Sequence, residues 1–190
     1  MIAAHEKHAT PEAVALAHQL SAGIPTLHTD RLTLRALRLE DFATLADLLA
    51  SDRSRFVSGP MSRIDAWKEF TQLASGWSLH GHGGWTIDQD GSIAGFVMIG
   101  VEPGDHEREL GFLLTEQAEG NGIAYEAACA ARDFAFDVLK FPTLVSYIDV
   151  NNTRSHRLAE RLGGERDAQA ETKLTNKMRI YRYTPKGVRI

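Results

Sequence analysis

Two glycines one residue apart, Gly120 and Gly122, separate an apolar run (Glu109-Leu110-Gly111-Phe112-Leu113-Leu114) from a long helical pattern that reaches Phe141-Pro142. The stretch between reads Gln117-Ala118-Glu119-Gly120-Asn121-Gly122-Ile123-Ala124. Strand, glycine turn and helix start together build an anion site. The first amides of a helix lack intrahelical partners and point where the macrodipole favours negative charge. Glycine permits positive φ and removes side chains that would keep a ligand from the backbone. A phosphorylated ligand is the natural occupant; the alternative is a glycine-bearing turn that merely enters a core helix.

Two familiar glycine motifs do not apply. A dinucleotide fingerprint needs a third glycine, but Ile123, Ala124 and Tyr125 follow Gly122. A P-loop needs Gly-Lys-Ser/Thr, which the chain lacks. What remains, Q-x-x-G-x-G followed by Ile-Ala-x-Glu-Ala, resembles the pyrophosphate-binding motif of the GCN5-related N-acetyltransferases (the GNAT superfamily). A second shared signature is Asn152-x-x-Ser155 ahead of Leu-x-x-x-Leu-Gly, although asparagine there is also an ordinary helix N-cap. The phrase Thr29-Asp30-Arg31-Leu32-Thr33-Leu34-Arg35 resembles the opening strand of the ribosomal-protein-acetylating branch of that superfamily. The resemblance covers roughly residues 24–183.

Local patterns divide the rest of the chain. Thr10-Pro11-Glu12 starts a short helix, with Ala13, Leu16, Ala17 and Leu20 on one face and Gly23 as its cap. Residues 1–23 are expected to be an accessory helical segment, packing on the domain or on a second subunit of a homodimer. Residues 24–190 are expected to form a single domain. Leu27 to Leu37 alternates as one strand, and Phe42, Leu45, Leu48 and Leu49 form a helical stripe. Ser62 caps a further helix whose apolar face is Ile64, Trp67, Phe70, Leu73, Ala74 and Trp77. Both tryptophans fit that stripe and are expected in the core.

His80-Gly81-His82 reads as a flexible loop; no Cys, Asp or Glu nearby completes a metal set. Trp85–Ile87 and Ser92–Val101 form a hairpin about Asp88-Gln89-Asp90-Gly91. After strand 108–114 and the glycine turn, Ile123, Ala127, Ala130, Ala131, Phe134 and Val138 form one stripe, with Lys140 in the last turn. Cys129 lies off that stripe with no adjacent cation and is read as structural. Strands 144–150 and 177–183 flank a helix with Leu158, Ala159 and Leu162 inward.

Composition narrows the function classes. A net charge of −4 and a pI near 6.1 leave no electrostatic footprint for nucleic acid. No run is apolar enough to span a membrane, and the first residues lack a signal-peptide layout. A cytoplasmic protein is expected.

The resemblance implies an α/β fold: a mixed, mostly antiparallel sheet with helices on both faces and two splayed parallel strands, here 108–114 and 144–150. Acetyl-coenzyme A would enter the splay as co-substrate, with no metal. It would meet Phe112, Leu113, Leu114, Gln117, Ala118, Glu119, Gly120, Asn121, Gly122, Ile123, Ala124, Asn152 and Ser155. The acceptor would be an amine, either a peptide amino terminus or a small molecule, made neutral before attack by a base or a water chain. Glu109 is the candidate base, the alternative being a structural ion pair to Arg108, Arg132 or another basic side chain. A backbone amide near Phe112 or Leu113 would hold the thioester oxygen. Relatives commonly protonate the leaving thiolate with a tyrosine on the last helix. Ala159 stands at the expected position, which leaves Ser155 or a water it holds. Three departures stand out: Glu119 within the phosphate loop, Asn121 where a basic residue is common, and Gly164 in place of an aromatic. Glu119 and the missing tyrosine leave a second reading open, a non-catalytic acyl-coenzyme A-binding module.

Overall fold

The central strands carry runs of buried residues, as strands covered on both faces must. In the computed structural model, which describes residues 3–57, 59–174 and 177–185, eight strands form one sheet. They are β1 (Leu27–His28), β2 (Thr33–Ala36), β3 (Gly84–Gln89), β4 (Ser92–Gly100), β5 (Glu109–Leu114), β6 (Leu144–Asp149), β7 (Glu165–Arg166) and β8 (Met178–Tyr183). Their spatial order is β1-β2-β3-β4-β5-β6-β8-β7. Every neighbouring pair is antiparallel except β5 and β6. The described helices are α1 (Pro11–Ser21), α2 (Phe42–Ala50), α3 (Arg63–His80), α4 (Ile123–Asp137), α5 (Thr153–Arg161) and the short α6 (Ala168–Glu171).

Helices cover both faces, and each face has its own apolar cluster. On one, α4 supplies Ile123, Ala127, Ala131 and Phe134 against Trp85, Ile87, Val97, Ile99 and Leu110. Alanines keep α4 close to the strands. On the other, Phe42, Leu45 and Leu49 of α2 meet Ala66 and Phe70 of α3 over Phe96. Trp67 packs there edge-on to Phe42, and Trp77 packs edge-on to Trp85; both tryptophans are half-buried and pack against the core clusters.

Several boundaries depart from the sequence reading. The predicted strand 27–37 is two strands, because Thr29 turns the chain by donating its N–H to the Leu32 carbonyl at 3.0 Å. The hairpin loop is only Asp90-Gly91, both at positive φ, with Gln89 opposite Ser92. Ile64 is 67% exposed, one turn ahead of where α3 meets α2. Val138 is 62% exposed, since α4 ends at Asp137; Lys140 lies beyond the helix at φ 59°. His82 is not part of a loose loop: it is buried, with Nδ1 2.8 Å from the Ile99 carbonyl. The N-terminal arm is tied to α3 by Glu6, which accepts from Arg63 at 2.7 and 2.8 Å, while α1 itself buries no residue.

One buried charge fastens α2 to the sheet. Asp41 is 2% exposed and accepts from both terminal nitrogens of Arg35, from Thr86 Oγ1 and from the Arg38 amide. Removing one partner of such a pair leaves the other desolvated and uncompensated. Asp41→Ala is therefore expected to cost about 3 kcal/mol, the low end of the usual range because Asp88 still reaches Arg35 at 3.4 Å. Urea denaturation measures it; a loss below about 1 kcal/mol would show that Asp41 carries little of the fold.

Candidate active site

The site begins where a rung of the sheet is missing. β5 and β6 share one register pair, Glu109 with Val145, and the Val145 amide donates to the Arg108 carbonyl at 2.9 Å. The next rung of a parallel ladder would join the Tyr147 N–H to the Leu110 carbonyl. Side chains take both groups instead. Ser146 Oγ donates to the Leu110 carbonyl at 2.6 Å, and the Tyr147 amide donates to Glu109 Oε1 at 3.3 Å. Tyr183 of β8 completes the set, its hydroxyl 3.1 Å from Ser146 Oγ. With Ser146 donating to Leu110, the tyrosine must be the donor of that bond.

Beyond this point β5 has a partner on one side only. Along a strand, the N–H and C=O of one residue share a side, and the side alternates. Leu110 faces β6, whereas Thr115 donates to Ala94 on the β4 side. Phe112 therefore shares the direction of Leu110, and its amide points into the splay. Leu113, the other candidate, faces β4.

Two cavities open on the splay. The larger, about 560 Å³, includes Glu109, Gly111, Ser146 and Tyr147 in its wall. The smaller, about 450 Å³, runs along Leu114, Gly120, Gly122, Ile123 and Ala124. They share Phe56, Val57, Phe112, Leu113, Asn152 and Ser155, so those six residues form the passage between them.

The glycine loop is built as its composition demands. Gly120 and Gly122 have φ of 79° and 78°, and Gly122 caps α4 without a side-chain bond. The first backbone bond of the helix is from Glu126 to Gly122, which leaves the amides of Ile123, Ala124 and Tyr125 for a ligand. Three expected contact residues do not line either cavity: Gln117 and Asn121 are exposed, and Ala118 is buried beneath the loop. Asn121 contributes its carbonyl, which accepts from Arg31 Nη1 at 3.0 Å. The same arginine holds Glu126 through Nε at 2.8 Å, and Thr29 Oγ1 donates to that carboxylate at 2.5 Å. Burial alone would raise the Glu126 pKa, but these bonds outweigh it and hold it below the usual carboxylate value. The Thr29-Asp30-Arg31 phrase thus fixes the loop and the helix behind it.

Glu119 neither faces a phosphate bare nor points freely to solvent. Its two oxygens are bonded to Arg53 Nη1 at 2.6 Å and Arg154 Nη2 at 2.7 Å. Arg53, Arg55, Arg154 and Arg161 all line the smaller cavity, with Arg161 stacked 4.2 Å over the Tyr125 ring. Sequence reasoning missed these cations; no local pattern joins residues 53, 119 and 154.

On the opposite wall Asn152 caps α5 by accepting from the Ser155 amide at 3.2 Å. With the cap supplied, the Ser155 hydroxyl is left without a protein partner among the described residues and sits in the passage. Ala159 is 2% exposed in the core and lines neither cavity. Gly164 has its own explanation: a Cβ there would come within 2.8 Å of the Tyr183 ring and 3.0 Å of the Ala159 carbonyl.

Glu109 is half-buried on the wall of the larger cavity. Loss of water around its carboxyl pushes the pKa up to about 8, against the Tyr147 N–H bond and with help from Asp105 and Glu102. It forms no ion pair among the described residues. Arg108 lies instead over the Phe141 ring at 4.6 Å, and Arg132 is bonded to Asp133 and to the Leu162 carbonyl. Tyr183, also buried, is pushed up to about 12 by desolvation.

The family model described as an acetyltransferase (GNAT) domain matches residues 31–165. An acetyltransferase structure from Agrobacterium tumefaciens is 43% identical, with a TM-score of 0.82, covering 86% of this chain and 96% of that one. The uncharacterised protein YkkB of Bacillus subtilis is 32% identical over 149 residues, 72% of this chain and 83% of that protein. At the level of fold, the chain is similar to RimL, a ribosomal L7/L12 alpha-N-protein acetyltransferase solved with coenzyme A. That likeness has a TM-score of 0.68 at 18% identity and covers 84% and 98% of the two chains. The glycine loop, the splay and the Asn152 cap thus stand in a chain that belongs to the GNAT family of N-acetyltransferases.

Proposed function

We propose that the protein transfers an acetyl group from acetyl-coenzyme A directly to a primary amine, in a ternary complex. The observation that carries this reading is the passage at Phe112 and Ser155, which joins a cavity suited to a phosphorylated carrier to one suited to an acceptor. Residues 24–190 serve as the catalytic domain, with residues 1–23 as an accessory arm.

The smaller cavity offers the pyrophosphate the open amides of α4, two positive-φ glycines and a rim of arginines. The acetyl thioester would then reach the passage. There the Phe112 amide is placed to donate to the thioester oxygen as negative charge develops on it. The acceptor enters through the larger cavity, and Glu109 takes a proton from its ammonium. The amine lone pair attacks the carbonyl carbon, the C–S bond breaks, and the thiolate takes a proton from Ser155 or from a water that it holds; the nitrogen loses its second proton as the amide forms, which replaces the one given to the thiolate. Glu109 returns its proton to solvent.

If Glu109 is the base, turnover should rise with pH through a midpoint at about 8 to a plateau above it, because the carboxyl must be ionised to act. Glu109→Gln should remove that limb and lower turnover by roughly 10²–10⁴. Stability gives an independent check on the same group. A raised carboxyl pKa favours folding at low pH, and that contribution is lost as pH rises from about 4.5 to about 8. The wild-type protein should lose stability across that window relative to Glu109→Gln. An unchanged acidic limb in the variant would hand proton removal to ordered water.

Ser155→Ala should lower turnover far more than coenzyme A affinity, since protonating the thiolate is a transition-state task. Because Asn152 supplies the cap, the melting temperature should stay nearly constant; a drop in melting temperature with normal turnover would assign the hydroxyl to the helix.

Gly122→Val should abolish coenzyme A binding in calorimetry while the fold survives, as the β-branched residue cannot hold the φ of 78°. Glu119→Gln should free Arg154, leave Arg53 only its contact to Glu116 at 3.2 Å, and tighten coenzyme A binding roughly two- to fivefold, the scale of one exposed charge at a helix start. Weaker binding would mean instead that Glu119 positions the two arginines.

A further inference from the structure

The larger cavity carries a charge pattern that the rest of the molecule avoids. Elsewhere most buried or half-buried carboxylates are matched to arginines, among them Asp41 to Arg35, Glu126 to Arg31, Glu107 to Arg182, and Glu119 to Arg53 and Arg154. Four acids line this cavity, delivered by three separate elements: Glu69 from α3, Glu102 and Asp105 from the loop between β4 and β5, and Glu109 from β5. None of the four is ion-paired among the described residues. Asp105 accepts from the Glu102 amide at 2.8 Å and Glu109 from Tyr147, but the carboxylates of Glu69 and Glu102 have no hydrogen-bond partner there. Lys173 is the one lysine or arginine on the wall.

The acids also act on one another. Burial, then the fields of Glu69 and Asp105, push Glu102 above its ordinary value; burial, then Asp65, does the same to Glu69. Between them the wall is apolar, with Leu45, Leu49, Met61, Leu73, Phe96 and Met98. The volume of about 560 Å³ lies within the range of small-molecule sites. Four acids facing a single lysine leave an excess of like charge, which weakens a fold and favours a cation in what enters.

A simple monoamine does not supply that compensation. The reacting nitrogen must give up its proton beside Glu109, so it is neutral when it attacks and leaves Glu69 and Glu102 unmatched. A second, non-reacting cation answers both requirements. Resting on the acetyltransferase reading above, we propose that the acceptor is a small diamine or polyamine with an apolar spacer. One amino group reacts beside Glu109 and Phe112, and another stays protonated between Glu69 and Glu102.

The test compares 1,5-diaminopentane with n-pentylamine, which have the same spacer and differ by one ammonium group. Each is titrated calorimetrically at neutral pH into the free protein and into protein saturated with coenzyme A. Each is also assayed as acceptor with acetyl-coenzyme A, beside a short peptide with a free amino terminus and neutral side chains. The diamine should bind at least about tenfold more tightly than the monoamine, the scale of one charge-assisted hydrogen bond. The double substitution Glu69→Gln/Glu102→Gln should erase that difference while coenzyme A affinity and pentylamine binding persist. Its melting temperature should hold or rise, because like-charge repulsion is relieved. Equal binding of the two amines, a preference that survives the double substitution, or better use of the peptide overturns the proposal. Absence of coenzyme A binding would instead defeat the acetyltransferase reading, and the titrations into free protein would still decide what the cavity prefers.

Discussion

The site depends on one missing backbone hydrogen bond. A parallel pair of strands will zip for as long as its amides and carbonyls find each other, because an unpaired buried peptide group is costly. Here the Leu110 carbonyl and the Tyr147 amide are satisfied by Ser146 and Glu109, so the ladder can end after one register pair without leaving either group orphaned. The gap that results opens two cavities between neighbouring strands of a single sheet. Tyr183 bonds to Ser146 from the far side and keeps that serine aimed across the gap.

The same economy ties the proposed base to the architecture. Glu109 stops the ladder and, in the reaction proposed, receives the proton. Its carboxyl sits where water is scarce and where Asp105 and Glu102 add like charge, so the group is kept close to neutrality of purpose: protonated readily, yet ionised in mildly alkaline solution. Catalytic carboxyls need that balance, because a carboxylate held by an arginine is too weak a base. The absence of an ion pair among the described residues, in a protein that pairs Asp41, Glu107, Glu126 and Glu171 with arginine, sets Glu109 and the acids beside it apart.

What could be read from the sequence was whatever is decided locally. Gly120 and Gly122 announce a left-handed turn because few other residues tolerate it, and Asn152 announces a cap because its side chain closes on an amide three residues on. The stripe of α4 and the paired strands follow from periodicity, and with the family resemblance they lead to the correct fold. Long-range pairings were not legible. Arg31 meets Glu126 across 95 residues and Arg53 meets Glu119 across 66, and no pattern in either segment reports the other. Boundaries failed where a single contact overrides alternation, as at Thr29, where the carbonyl of Leu32 turns the chain. Gly164 looked like a lost aromatic; the ring of Tyr183 occupies that space, brought there by a strand that the local sequence does not mention.

The position of that ring in chain order bears on how the protein is made. Tyr183 lies on the last of the described strands in sequence, yet β8 is inserted between β6 and β7, in the interior of the sheet. Ribosomes add roughly 5–20 residues per second, so the glycine loop leaves the tunnel several seconds before the strand that steadies the gap. Throughout that interval the edge of β6 stands open, with Leu144, Val145 and Ile148 awaiting cover. Until β8 arrives, Ser146 lacks the Tyr183 hydroxyl that aims it across the gap, so the splay takes its final form only as the sheet closes.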